Sequence, residues 1–163
     1  MKYRAYIDIE TTGLSRYYAD LTVIGIALEK GKECQVIQLV EVGLSEKKLL
    51  AALRGVDEIY SYNGSRFDLP FIQAKLRVDL KACFKHTDLM YACWRHNLKG
   101  GLKAVEKQLG IDRGLKGVDG YTAVKLWYDY VNNYNRQALL TLLEYNREDV
   151  VNLQVLRRKL QVE

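Results

Sequence analysis

The sequence predicts an α/β sheet: three antiparallel strands in succession, a crossover helix, then parallel strands, with helices covering both faces. Three observations carry that prediction. The N-terminal part holds three strand-like runs, Tyr3 to Glu10, Leu21 to Leu28 and Cys34 to Val40, separated by turn residues. From Ser45 onward short strand-like runs alternate with helix-patterned segments, as in crossover units. The chain closes on a long amphipathic stretch, Gln137 to Leu160, with Leu139, Leu142, Leu143, Val150, Leu153 and Leu156 on its apolar side.

The first run is bounded by Gly13 and a loop over Ser15 to Asp20, and Gly31-Lys32 connects the second run tightly to the third. These three strands therefore form an antiparallel meander. Gly43-Leu44-Ser45 breaks the pattern. Ser45 is placed to cap a helix to Leu53, with Leu49, Leu50 and Leu53 at core spacing and Gly55 just past its end. Glu58 to Tyr62 is a short strand reached through that helix, hence parallel to the first. Asn63-Gly64-Ser65-Arg66 supplies a turn, and Phe67-Asp68-Leu69-Pro70 opens a helix to about Arg77, since Pro70 is tolerated only in a first turn. A fifth strand is expected over Cys83 to His86. Asp88 is placed to cap a helix through Trp94, and another helix spans about Gly101 to Leu109, stopped by Gly110. Asp112 to Gly120 reads as loop and Tyr121 to Val131 as an aromatic helix. Sites on such sheets lie at the carboxyl ends of the strands, which puts Glu10 beside Asn63 and Asp68.

The 163 residues fit one domain, residues 1–163, with a full core, and the single proline, Pro70, leaves no proline-rich linker. With 48% hydrophobic and 28% charged residues the composition is that of a soluble globular protein. No apolar run approaches the roughly 20 residues that span a bilayer, so no membrane role is expected. The start Met1-Lys2-Tyr3-Arg4 leads into an acid-bearing strand rather than a signal peptide, and Cys34, Cys83 and Cys93 fit reduced thiols, so the expected compartment is the cytoplasm. The net charge is +5, and setting aside the four acids singled out below leaves +9 elsewhere. A basic shell around an acidic centre suits a polyanion, although net charge also serves solubility.

The centre begins at Asp8-Ile9-Glu10. Two carboxylates at alternate positions of an apolar strand share one face, repel each other, and find relief in a hard divalent cation. For this pair alone the other reading is an exposed strand face with solvated acids. Downstream, Asn63-Gly64-Ser65-Arg66-Phe67-Asp68 and Tyr145-Asn146-Arg147-Glu148-Asp149 supply further acids on elements of the expected type. With Asp8-Ile9-Glu10-Thr11-Thr12-Gly13-Leu14 they resemble, in order, the three motifs of the DEDD superfamily of 3′–5′ exonucleases on a ribonuclease H-like fold. The likeness covers nearly the whole chain and implies a five-stranded sheet of order 3-2-1-4-5. Thr87-Asp88-Leu89 and Leu102-Lys103-Ala104-Val105-Glu106 narrow it to YprB-like exonuclease domains. Tyr145 stands four residues before Asp149 and Glu144 five before, so the chain is similar to the tyrosine subgroup rather than the histidine one.

The resemblance implies two divalent ions, Mg2+ or Mn2+, the arrangement that activates water and stabilises the leaving oxygen in phosphodiester hydrolysis. Asp8 would bridge them, Glu10 and Asp149 would complete one site, and Asp68 would hold the second ion, partly through water. Tyr145, on the face of a helix that also carries Asp149, would orient the attacking water. Thr11, Thr12 and Gly13 would contact the 3′-terminal nucleotide, Leu14 would pack against its base, and Asn63 would bond near the scissile phosphate unless it simply makes a turn. The expected activity is 3′–5′ exonucleolytic hydrolysis of single-stranded DNA or RNA, or of frayed ends. A structure-selective endonuclease and a non-catalytic nucleic-acid-binding module are the alternatives on the same fold.

Other features stand outside this reading. Cys83-x2-His86 and Cys93-x2-His96 present zinc-type ligands, but a strand would send Cys83 and His86 to opposite faces, and Cys93 lies among apolar neighbours. Tyr121, Trp127, Tyr128, Tyr130 and Tyr134 have spacing more typical of core than of base stacking. The basic residues from Lys75 to Lys103 read either as a backbone track or as a solvated face.

Overall fold

In the computed structural model, which describes residues 1–163, β1 (Tyr3–Thr11), β2 (Leu21–Lys30) and β3 (Glu33–Val40) form an antiparallel meander. Helix α1 (Glu46–Ala52), capped by Ser45 through a 3.2 Å bond from the Lys48 amide, crosses over to β4 (Glu58–Ser61). Strand β4 runs parallel to β1, and β5 (Lys85–Asp88) parallel to β4. The order β3-β2-β1-β4-β5 is that of the expected ribonuclease H-like mixed sheet. Around it lie α2 (Asp68–Leu76), the single turn α3 (Leu80–Cys83), α4 (Leu89–Arg95), α5 (Leu102–Leu109), α6 (Gly120–Asn133) and α7 (Arg136–Lys159). No helix is long and apolar enough to cross a membrane.

The two-residue period of β1 builds a core on each face. Ala5, Ile7 and Ile9 pack with Leu49 and Leu53 around α1 and with Ile72 of α2. Tyr6, on the opposite face, stacks on Tyr60 at 5.3 Å and joins Val150, Leu153 and Leu156 of α7. Each such aliphatic side chain, fully buried, contributes about 1.5–3 kcal/mol. Asp8 and Glu10 have the parity of Tyr6, so they come to lie under α7. The C-terminal end of α7 is pinned by buried Glu29 on β2, which accepts from Tyr6 Oη at 3.0 Å and pairs with Arg157 at 3.2 Å and Arg158 at 3.3 Å.

The fifth strand lies two residues later than the sequence suggests. Asp79 caps a helical turn by accepting from the Ala82 amide at 3.3 Å, and burying Leu80 in that turn leaves Cys83 outside the sheet. Strand pairing begins only at Lys85, opposite Glu58. The aromatic helix is also not core on its outer side: Tyr121 and Tyr134 are strongly exposed and Tyr128 is nearly half exposed. Only Ala123 of α6 is fully buried, because α6 rests on α7 and covers the sheet merely in part.

Candidate active site

Strand β1 delivers two acids to the α7 side of the sheet, and one glycine decides how closely α7 approaches them. Asp8 stands opposite Gly25 on β2, where an added Cβ would come within 2.1 Å of Asn146 Oδ1. The missing side chain lets α7 settle on the sheet. Asn146 then donates from Nδ2 to the Asp8 carbonyl at 3.2 Å and to Asp8 Oδ2 at 3.3 Å, and accepts from Gln38 Nε2 at 3.0 Å. Asp149 follows one helical turn later. One carboxylate oxygen from each of Asp8, Glu10 and Asp149 lies within 4.8 Å of the others.

These acids occupy a setting that disfavours charge. Burial pushes Asp8 well above the usual carboxylate range, and the charges of Asp149, Asp68 and Glu10 push it further. Glu10 is raised for the same reasons, and its Oε1 is buried without a hydrogen-bond partner. Burial also raises Asp149, although Arg113 opposes the shift. Asp68 is buried at the start of α2, with Oδ2 accepting from the Ile9 amide at 3.0 Å. Burial lifts its carboxyl to about 7, against the lowering effect of that backbone bond. Asp68 shares the groove with Asp8 and Asp149 without being one of the three closest acids. Clustered, desolvated carboxylates with an unpartnered oxygen form a donor set suited to a hard divalent cation.

Two cations border the cluster. Arg113, in the loop after α5, grips Glu106 through Nε at 2.6 Å and Nη2 at 2.8 Å, and Nη2 also donates to Asp149 Oδ1. Lys103 Nζ donates to Tyr145 Oη at 2.5 Å. Burial and the nearby carboxylates hold the Tyr145 phenol far above its ordinary value. The sequence reading assigns no role to Arg113, Glu106 or Asn146 at the site. Asn146 stands inside the third motif, but nothing in the sequence distinguishes Arg113 from any loop arginine.

The remaining expected residues divide. Asn63 and Lys103 line the groove of about 530 Å³ that also holds Asp8, Asp68, Tyr145 and Asp149. Asn63 does make a turn, with φ 58° and its amide bound to Asp88 Oδ1 at 2.8 Å, yet its side-chain Oδ1 is buried and unpartnered. On the other side of the acids, Thr11, Gly13 and Leu14 face Gly120 and Val124 across a smaller pocket of about 280 Å³. Leu14 is 88% exposed, available for contact rather than packed. Thr12 is turned to its own loop, where Oγ1 accepts from the Asp20 amide at 2.8 Å. Of the zinc-type residues, Cys83 is exposed, Cys93 is buried, and His86 Nε2 sits 2.8 Å from Ser61 Oγ.

The model of the RNase_H superfamily matches residues 5–161. The uncharacterized protein YprB of Bacillus subtilis (strain 168) is 30% identical over 173 residues, covering 91% of this chain and 39% of YprB. The chain thus spans well under half the length of that curated relative. Among solved structures, Brucella melitensis NrnC aligns with TM-score 0.64 and 22% identity over 97% of this chain and 72% of its own. NrnC bound to pGG aligns at 0.63 and NrnC with bound Mg2+ at 0.60. The zinc ion bound form of the E. coli ExoI–ssDNA complex aligns with TM-score 0.50 and 16% identity over 85% of this chain and 42% of its own.

Proposed function

The chain belongs to the RNase_H superfamily, and from that premise we propose that it is a metal-dependent 3′–5′ exonuclease acting on single-stranded nucleic acid or frayed ends. The observation that carries this reading is the approach of Asp8, Glu10 and Asp149 to within 4.8 Å, with Glu10 Oε1 buried and unpartnered. Support comes also from the order of the three motifs, and from NrnC having been solved with Mg2+ and with pGG and ExoI with single-stranded DNA.

Asp8, Glu10 and Asp149 would hold one divalent ion, and Asp8 with Asp68 a second. Such ions supply a hydroxide-like nucleophile at neutral pH and neutralise charge on the leaving oxygen. The chain's own groups set the geometry. Asn146 fixes Asp8 through Oδ2, and Arg113 fixes Asp149 through Oδ1, so each acid keeps its other oxygen for a ligand. Arg113 is itself held by both oxygens of Glu106, which keeps the clamp from swinging with solvent. Tyr145 stays a phenol at neutral pH. With Lys103 donating to its oxygen, its proton is free to donate to a water or phosphate oxygen in the groove, which positions that group rather than deprotonating it.

End-labelled single-stranded DNA and RNA incubated with Mg2+ or Mn2+ test the reading. Ladders shortening from the 3′ end support it. Cleavage of a circular strand would make the protein an endonuclease, and intact substrate under all conditions would leave a binding module.

A further inference from the structure

Beside the groove, on the side of α4, lies a second group of residues that the chemistry above does not use. Trp94 is 44% exposed and meets Tyr91 edge-on at 5.2 Å. Arg66 spans both rings, its guanidinium 5.7 Å from the centre of Tyr91 and 5.6 Å from that of Trp94, and its Nε donates to Tyr91 Oη at 3.1 Å. None of the chain's ion pairs includes Arg66, so its charge has no carboxylate partner. The cluster is joined to the groove on two elements at once: Phe67 and Met90, the neighbours of Arg66 and Tyr91, both line it. Its base is stiff. Asp88 accepts from the Asn63 amide at 2.8 Å, the Ser65 amide at 3.1 Å and Ser65 Oγ at 2.6 Å, while Lys81 Nζ donates to the Ser65 carbonyl at 2.9 Å.

An exposed indole next to an unpaired guanidinium, on a turn whose next residues enter the acid-lined groove of the proposed nuclease site, matches single-stranded nucleic acid in particular. Bases stack on an aromatic face at any sequence, and the neighbouring cation takes the phosphate. A protein partner would not need the free positive charge, and Lys81 adds a second cation to the same turn. We propose that Arg66, Tyr91 and Trp94 form a stacking platform for a nucleotide of the substrate strand lying outside the groove. The platform rests on the nuclease reading and deepens it: strands long enough to leave the groove gain affinity there, and dinucleotides do not reach it.

The test is direct binding in chelator, where no turnover occurs. In a Trp127→Phe background Trp94 is the sole tryptophan, and its emission should be quenched by a dodecanucleotide of single-stranded DNA or RNA but not by a dinucleotide. Trp94→Ala, an exposed change checked by an unaltered melting temperature, should weaken dodecanucleotide binding about 5- to 150-fold by anisotropy, the range for one lost base stack. Arg66→Ala should weaken it too and lower the salt dependence. Equal dodecanucleotide affinity for wild type and Trp94→Ala, without quenching, would overturn the platform and leave the nuclease reading standing. If wild type binds no strand of either length, both fall.

Discussion

At Tyr145 the carboxylates that suit a cation also decide what the phenol can do. Burial and three nearby acids hold its proton on, and Lys103 occupies a lone pair of its oxygen. Tyr145→Phe should therefore lower turnover roughly 10- to 1000-fold, the loss expected for one positioning group, with Mn2+ affinity intact by calorimetry. Collapse of metal binding in that variant would make Tyr145 part of the metal site. Asp68 gives a second residue-scale expectation. Its folded carboxyl titrates at about 7, above its ordinary value of 3.8, so the metal-free fold binds that proton more tightly than the unfolded chain. The resulting stabilisation is present in acid and is lost as pH rises through about 7. In chelator, Asp68→Asn should gain on wild type as pH rises across that window, and parallel melting curves would contradict the assignment. Asp8 and Glu10 were legible in the sequence because a strand's period of two puts them on one face, and Tyr145 with Asp149 because residues four apart share a helix face. Arg113 was not: it meets Asp149 across 36 positions of sequence, from a loop without a period to read.

At the scale of elements, the contact between α7 and β2 sets the site. Gly25 is the gap into which Asn146 fits. Gly25→Ala should force the helix outward and cost about 1–3 kcal/mol, the usual penalty of overpacking. It should also lower turnover, because Tyr145 and Asp149 move with Asn146. Unchanged activity and melting would mean that α7 yields without disturbing the acids. The long elements were readable from their patterns: the meander, the capped α1, and α7 with its leucine stripe all follow from period and capping. Short or one-sided elements depart from their sequence pattern. A four-residue strand carries too few positions to show a period, so the Asp79 cap and the turn over Leu80–Cys83 displaced β5. On α6 the aromatic spacing suggests core, and Trp127 does pack inward, whereas α6 lies at the margin of the fold and Tyr121, with Tyr134 just past its end, stands in solvent.

For the molecule as a whole, the fold gathers acids at the carboxyl end of β1 and beneath α7, while the charged residues outside those four acids sum to +9 against a net charge of +5 for the chain. Asp8, Glu10, Asp68 and Asp149 raise one another's pKa values across this end of the sheet, so their mutual repulsion would destabilise a metal-free fold, and a cation bound only by the folded state would relieve it. Thermal melts test this relief without any substrate. Wild type and Asp8→Asn would be melted in chelator and across a Mn2+ titration. In chelator Asp8→Asn should be at least as stable as wild type, having one repelling charge fewer. Wild type should gain about 2.7 kcal/mol at 100 times its dissociation constant for Mn2+, while the variant gains far less. Superimposable curves for the two proteins, with and without Mn2+, would show that these acids do not form a metal site.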